Sequence, residues 1–166
     1  MSKTSVIRAN IADLPFHVDA IANAANSALI PGGGVDGALN RKAGKNLKKD
    51  MLAIGGTPTG TAVYTQAYNL NADYVIHAVG PQYVDGQHGE KNLLREAYES
   101  VMAIAKKLNL WTIAVPFLST GIYGYPLKEA VQVALETVKK FDGDIEVFFV
   151  AFDSKTENIA KTSLEE

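Results

Sequence analysis

The 166 residues suit one domain, and with 47% hydrophobic and 20% charged residues the balance is that of a globular chain rather than a disordered one. A formal net charge of −2 gives none of the basic footprint that nucleic-acid binding needs, and the Lys48-Lys49 and Lys106-Lys107 pairs read as solvated helix faces. The absence of cysteine removes disulfides, thiolate metal ligands and cysteine nucleophiles, and no apolar run approaches the roughly 20 residues of a membrane span.

Met1-Ser2-Lys3 leads into no signal-peptide core, so the expected location is the cytoplasm. Thr4 to Ala9 reads as a short strand, and the small apolar run Asp19 to Ala24 as a strand buried on both faces. After a glycine run, Val35 to Ala43 and Lys45 to Ile54 read as two short helices. Gly55 to Gly60 is a loop by composition. Thr61 to Gln66 alternates as a strand, Tyr74 to Val79 makes the next, and the hairpin-like region around Gly55-Gly56 points to a mixed sheet.

Lys91 to Leu108 carries the clearest helical pattern, with Leu94, Ala97, Tyr98, Val101, Ala105 and Leu108 on one stripe. Trp111 to Leu118 reads as a buried strand. Pro126 opens a helix whose buried face holds Leu127, Val131, Ala134 and Val138. Ile145 to Phe152 is the last strand, and Ser154-Lys155-Thr156-Glu157 has the form of a capping box. Strands alternate with helices without internal repeat or linker, which predicts one α/β domain over 1–166.

Ligands of open α/β sheets bind beyond the carboxyl ends of the strands. Two loops fit that position: Asn23-Ala24-Ala25-Asn26 through Pro31-Gly32-Gly33-Gly34-Val35-Asp36-Gly37, and Ser119-Thr120-Gly121-Ile122-Tyr123-Gly124. Consecutive glycines expose backbone N–H groups, and at a helix N-terminus such amides favour phosphate oxygens without any lysine. A diphosphate held between the loops accounts for both, although either alone could be a tight turn. Gly32, Gly34 and Gly37 formally match G-x-G-x-x-G, but about eight residues separate them from the strand and Asp50 lies inside a helix. Gly44-Lys45-Asn46 lacks the spacing of a P-loop, and Phe117 to Gly121 lacks the first glycine of G-x-S-x-G. His17, His77 and His88 are scattered without metal-ligand spacing, and His77 reads as a structural hydrogen bonder.

These segments, with Val18 to Ile21, Pro58-Thr59-Gly60, and His77 with Val79-Gly80-Pro81, resemble the macrodomain family. Within it the chain is similar to the bacterial O-acetyl-ADP-ribose deacetylases and their mono-ADP-ribosyl-hydrolase relatives. The resemblance implies a three-layer αβα fold with a mixed, mostly parallel central sheet. It also implies binding of ADP-ribose and its O-acyl esters, and removal of mono-ADP-ribose from acidic side chains of proteins, with no metal, cofactor, nucleic acid or membrane involved. By position, Asn10 and Ile11 would meet adenine, with Asn10 standing where the family has aspartate, and Phe152 would stack on the ring. Gly33, Gly34 and Val35, with Ser119, Thr120, Gly121, Ile122 and Tyr123, would hold the diphosphate, Tyr123 also walling the distal ribose whose hydroxyls Asn26 would hold. Asp36 matches the acidic residue of hydrolytic members: it either deprotonates a water or only orients the ribose while a substrate phosphate takes the proton. Asn40 replaces a frequent histidine and Pro31 a fourth glycine. A reader that binds ADP-ribose without turnover is the alternative, and a nicotinamide-dependent dehydrogenase a more distant one.

Overall fold

In a computed structural model the described residues are 3–141 and 143–165; Met1 and Ser2, read above as opening no leader, lie outside them. Six strands form one sheet: β1 (Lys3–Arg8), β2 (Val18–Ala24), β3 (Ala62–Gln66), β4 (Ala72–Ala78), β5 (Thr112–Pro116) and β6 (Glu146–Ala151). Their order is β1-β6-β5-β2-β4-β3, all parallel except β3, which runs antiparallel to β4. The sheet is therefore mixed as expected. The antiparallel step is made by the turn between Gln66 and Ala72, however, and not at Gly55-Gly56.

The helices are α1 (Gly34–Ala43), α2 (Lys45–Ile54), α3 (Glu90–Lys107), α4 (Leu127–Lys140) and α5 (Ser154–Glu165). The last three pack on one face of the sheet and α1 with α2 on the other, giving three layers and two apolar cores. Period-2 alternation sends Ala20 and Ala22 of β2 into the first core and Ile21 into the second. The α3 stripe is buried as its spacing requires, save that Leu108 is the half-buried residue just past the helix end. Lys48, Lys49, Lys106 and Lys107 are exposed.

Two expectations need correction. Trp111 precedes β5 and is 72% exposed: its backbone N–H donates to Asp19 Oδ2 (2.7 Å) and its carbonyl accepts from Glu146 (2.8 Å), while the ring leaves the sheet. Ser154 does not cap α5. Asp153 does, accepting from the Thr156 N–H at 2.8 Å, and Glu157 turns to Lys161 at 3.0 Å. A carboxylate one residue earlier outcompetes the serine because it adds charge at the positive end of the helix dipole.

The chain leaves β2 toward β4 and β3, but leaves β5, its neighbour, toward β6. Adjacent loops that diverge in this way open a crevice, and it lies at the carboxyl ends of β2 and β5.

Candidate functional site

Both glycine-rich loops rise at that crevice. The first leaves β2 and runs into α1, whose N-terminus has Gly33 as its capping residue and no capping side chain. An ideal Cβ at Gly33, Gly34 or Gly121 would meet nothing within 4 Å, so the backbone there faces open space. Gly32 differs: its N–H donates inward to Asp36 Oδ2 at 3.1 Å. Of the three glycines expected to present amides outward, one is thus committed to the protein itself. Val35 is half-buried in the first turn of α1.

The second loop is held at its root by Tyr98, buried on α3, whose hydroxyl accepts from the Leu118 N–H (2.7 Å). Thr120 Oγ1 donates to the Phe117 carbonyl (2.8 Å), and Tyr125 N–H to the Ser119 carbonyl (2.9 Å). Ser119 has φ +69° and its hydroxyl is buried without a partner against Gly80, where an added Cβ would come within 2.3 Å of it. What this serine offers a ligand is therefore backbone. The carbonyl of half-buried Tyr123 accepts from the Tyr83 N–H (2.8 Å), tying this loop to the one after β4.

Ile30, Ile122 and Phe152 are 55%, 100% and 79% exposed around this rim, large apolar side chains of the kind that mark a binding surface when they gather. Phe152 follows β6, whose neighbour β1 leads to Asn10 and Ile11. Ile11 is buried and Asn10 exposed, with the Asn10 Oδ1 accepting from the Ala12 N–H at 3.0 Å. Asn26, half-buried, clasps its own loop: its amide donates to the Ile30 carbonyl (2.7 Å) and accepts from the Ile30 N–H (3.1 Å). A cleft of about 280 Å³ flanks the second loop, bordered by Ser27, Thr59, Gly80, Gln82, His88 and Tyr123.

Beneath the first loop lies Asp36, only 3% exposed. Its Oδ1 accepts from Asn23 Nδ2 (2.9 Å) and from Asn40 Nδ2 (3.0 Å), and Oδ2 accepts from Gly32 alone. Burial raises its pKa above the usual carboxylate value, and the three donors hold it back. Both amide oxygens, Asn23 Oδ1 and Asn40 Oδ1, are buried without partners. Each orphan costs roughly 1–3 kcal/mol, so turning both NH2 groups onto one carboxylate oxygen is a costly arrangement.

Asn23 and Asn40 were not singled out as partners of Asp36 from the sequence. The signals were there: an amide in an otherwise apolar strand buried on both faces must find a partner, and Asn40 is four residues beyond Asp36 on one helix. His77, read as a structural hydrogen bonder, is wholly buried and sits in register with Asn23, its Nδ1 3.1 Å from Asn23 Nδ2. The other histidines gain carboxylate neighbours that spacing did not reveal, His17 beside Asp19 and Asp73, and His88 beside Asp85 and Glu90. Those carboxylates already have work: Asp19 Oδ2 takes the Trp111 and Thr112 N–H groups, and Glu90 takes those of Val84, Asp85, Gly86 and His88.

The Macro domain family model matches residues 22–134. A relative from Caldanaerobacter subterraneus, named Macro domain-containing protein TTE0995, is 45% identical over 171 residues, covering 99% of this chain and 97% of its own. A protein of Salmonella gallinarum named O-acetyl-ADP-ribose deacetylase is 44% identical over 163 residues, covering 93% and 90%. Among solved structures, the Oceanobacillus iheyensis macrodomain with ADP matches with TM-score 0.90 and 31% identity over 98% of this chain and 90% of its own. The Trypanosoma brucei macrodomain in complex with ADP-ribose matches at 0.87 and 34%, over 96% and 68%. With crevice, glycine loops and sequence in agreement, this chain belongs to the macrodomain family.

Proposed function

We propose that the chain binds ADP-ribose along the carboxyl edge of its sheet and hydrolyses esters carried on the distal ribose, O-acetyl-ADP-ribose and mono-ADP-ribosylated acidic side chains among them. Adenine would lie over Asn10, Ile11 and Phe152 at the ends of β1 and β6. The diphosphate would rest on Gly33, Gly34, Val35 and the backbone of Ser119 to Tyr123, and the ribose between Asn26 and Tyr123. Free backbone amides at a helix N-terminus suit phosphate oxygens without lysine.

The hydrolytic part is carried by one observation: Asp36 lies under the glycine loop with Oδ1 doubly donated and Oδ2 singly, which leaves Oδ2 the more basic oxygen. A water on Oδ2 would add to the ester carbonyl while its proton passes to Asp36. The carbonyl carbon then expels the ribose oxygen, which takes that proton, and the products are ADP-ribose and a carboxylic acid. Side chains carry the whole step, so turnover should survive EDTA. A chain without cysteine, with no helix among its described residues long and apolar enough to cross a membrane, suits work in the cytoplasm.

The same site favours a second reading on a specific ground. Asp36 is so enclosed that Gly32 must yield before substrate water reaches Oδ2, and a loop that never yields leaves an ADP-ribose reader. Incubation with O-acetyl-ADP-ribose, with and without EDTA, separates them. Release of acetate that persists in EDTA and falls at least 100-fold in Asp36→Ala, with ADP-ribose still bound in calorimetry, supports the hydrolase. Binding without release in the unmodified protein leaves the reader.

A further inference from the structure

The buried polar groups behind Asp36 form one connected hydrogen-bond chain, in which an ionised Asp36 is satisfied by a single assignment of protons. Thr65 on β3 donates its hydroxyl hydrogen to the Gln66 carbonyl (3.0 Å), which accepts only. Its Oγ1 lies 2.9 Å from His77 Nε2, and with its own hydrogen on the Gln66 carbonyl it accepts there, which assigns the His77 hydrogen to Nε2. His77 Nδ1 is then bare and accepts from Asn23 Nδ2 at 3.1 Å. The second Asn23 N–H goes to Asp36 Oδ1 at 2.9 Å. Four groups on β3, β4, β2 and α1 thus form one directional chain, and Asn23, His77 and Thr65 are all buried.

We propose that His77 is a positioning residue for Asp36: through its bare Nδ1 it fixes the orientation of the Asn23 amide, so that an N–H and never the amide oxygen faces the carboxylate. This rests on the assignment of Asp36 as the group that acts on the ester. An asparagine amide has two orientations of nearly equal shape. One satisfies His77 and Asp36 together; the other sets Oδ1 against a lone pair on each. The unpartnered Oδ1 of Asn23 follows from the first, since it has been turned from both. His77 serves because burial keeps it neutral, and its Nε2–H is anchored by Thr65. The charge whose pull reaches His77 is that of Asp50 on α2; on α1, beside Asp36, Arg41 Nη1 lies 3.1 Å from the position of a Cβ at Gly37.

The test is the ionisation of Asp36 itself, followed by carboxyl 13C NMR with Asp36→Asn to assign the signal, beside the pH profile of hydrolysis. In His77→Leu the Asn23 amide is released, and the Asp36 titration and the acid limb of kcat should move up by roughly half to one pH unit. Affinity for ADP-ribose should stay within about twofold, because His77 touches no surface the ligand reaches. His77→Gln, whose side-chain oxygen can accept from Asn23, should restore part of the shift. If His77→Leu does not fold, Thr65→Val removes the acceptor that sets the tautomer and should move the titration in the same direction by less. A titration unmoved in a folded variant, with only the melting temperature lowered, overturns the proposal and makes His77 a core filler. Should the unmodified protein hydrolyse no ester, the catalytic reading falls, yet the NMR titration still decides whether His77 orients Asn23.

Discussion

Ser119 combines two unfavourable features at one position. Its backbone is left-handed at φ +69°, which costs a residue with a Cβ roughly 1–2 kcal/mol, and its buried hydroxyl has no partner. Ser119→Gly removes both, less the entropy that glycine adds to the unfolded chain, so a net gain of about 1 kcal/mol is expected in urea denaturation. A lower midpoint would show that the hydroxyl fills space the loop needs. Strain of this kind gathers where a loop is shaped for a ligand, and the same variant should weaken ADP-ribose binding by letting the loop relax. From the sequence Ser119 was legible as part of a loop and no further. Its hydroxyl packs against Gly80, just past β4, and no local spacing encodes that contact. Asp36 was legible as the group to watch, and Gly32 and Asn40 stand four residues to either side of it along one loop and helix, whereas Asn23 reaches it from β2 at a separation that no local pattern encodes.

Helix α1 sets the depth of the site through Gly37. A Cβ there would lie 2.6 Å from the Gly32 carbonyl oxygen and 3.1 Å from Arg41 Nη1, and the first of these is backbone that cannot swing away. Gly37→Ala should therefore lift the glycine loop off the helix, costing about 1–3 kcal/mol of stability, and weaken ADP-ribose binding tenfold or more. Gly33→Ala makes the same chemical change where nothing lies within 4 Å, and should cost less than about 1 kcal/mol. Equal losses in the two variants, read by thermal melts and calorimetry, would mean that glycine flexibility rather than this close contact matters. Elements of this sort were largely readable in advance, since long apolar periodicity survives any tertiary context, as the α3 stripe shows. Ends and caps were not: Asp153 against Ser154, and Trp111 outside β5, were decided by which backbone group lacked a partner in the folded chain.

Acid should act on the whole molecule through groups of opposite sign. Burial lowers the pKa of His77 to about 4 against an ordinary value of 6.5, and the pull of Asp50 does not offset it. Below pH 6.5 the unfolded chain takes up a proton at this histidine that the folded chain refuses until about pH 4. Stability therefore falls across that window, by about 3 kcal/mol for a shift of this size. Glu90 adds to the loss at lower pH: four backbone N–H groups hold its pKa far below the usual carboxylate range, so the stability it lends is present above that range and drains away as pH falls beneath it. Asp36 works against both, because its raised pKa makes ionisation costly in the fold and acid relieves that cost. Urea midpoints measured across the acid range should decline below pH 6.5 with a slope of less than one proton, as His77 outweighs Asp36, and go on declining below about pH 4 as Glu90 takes over. His77→Gln has no such proton to refuse, so it should flatten the first decline while leaving the second. A first decline that survives this substitution would move its origin from His77 to the carboxylates, and the neutral histidine on which the Asn23 orientation depends would lose its thermodynamic support.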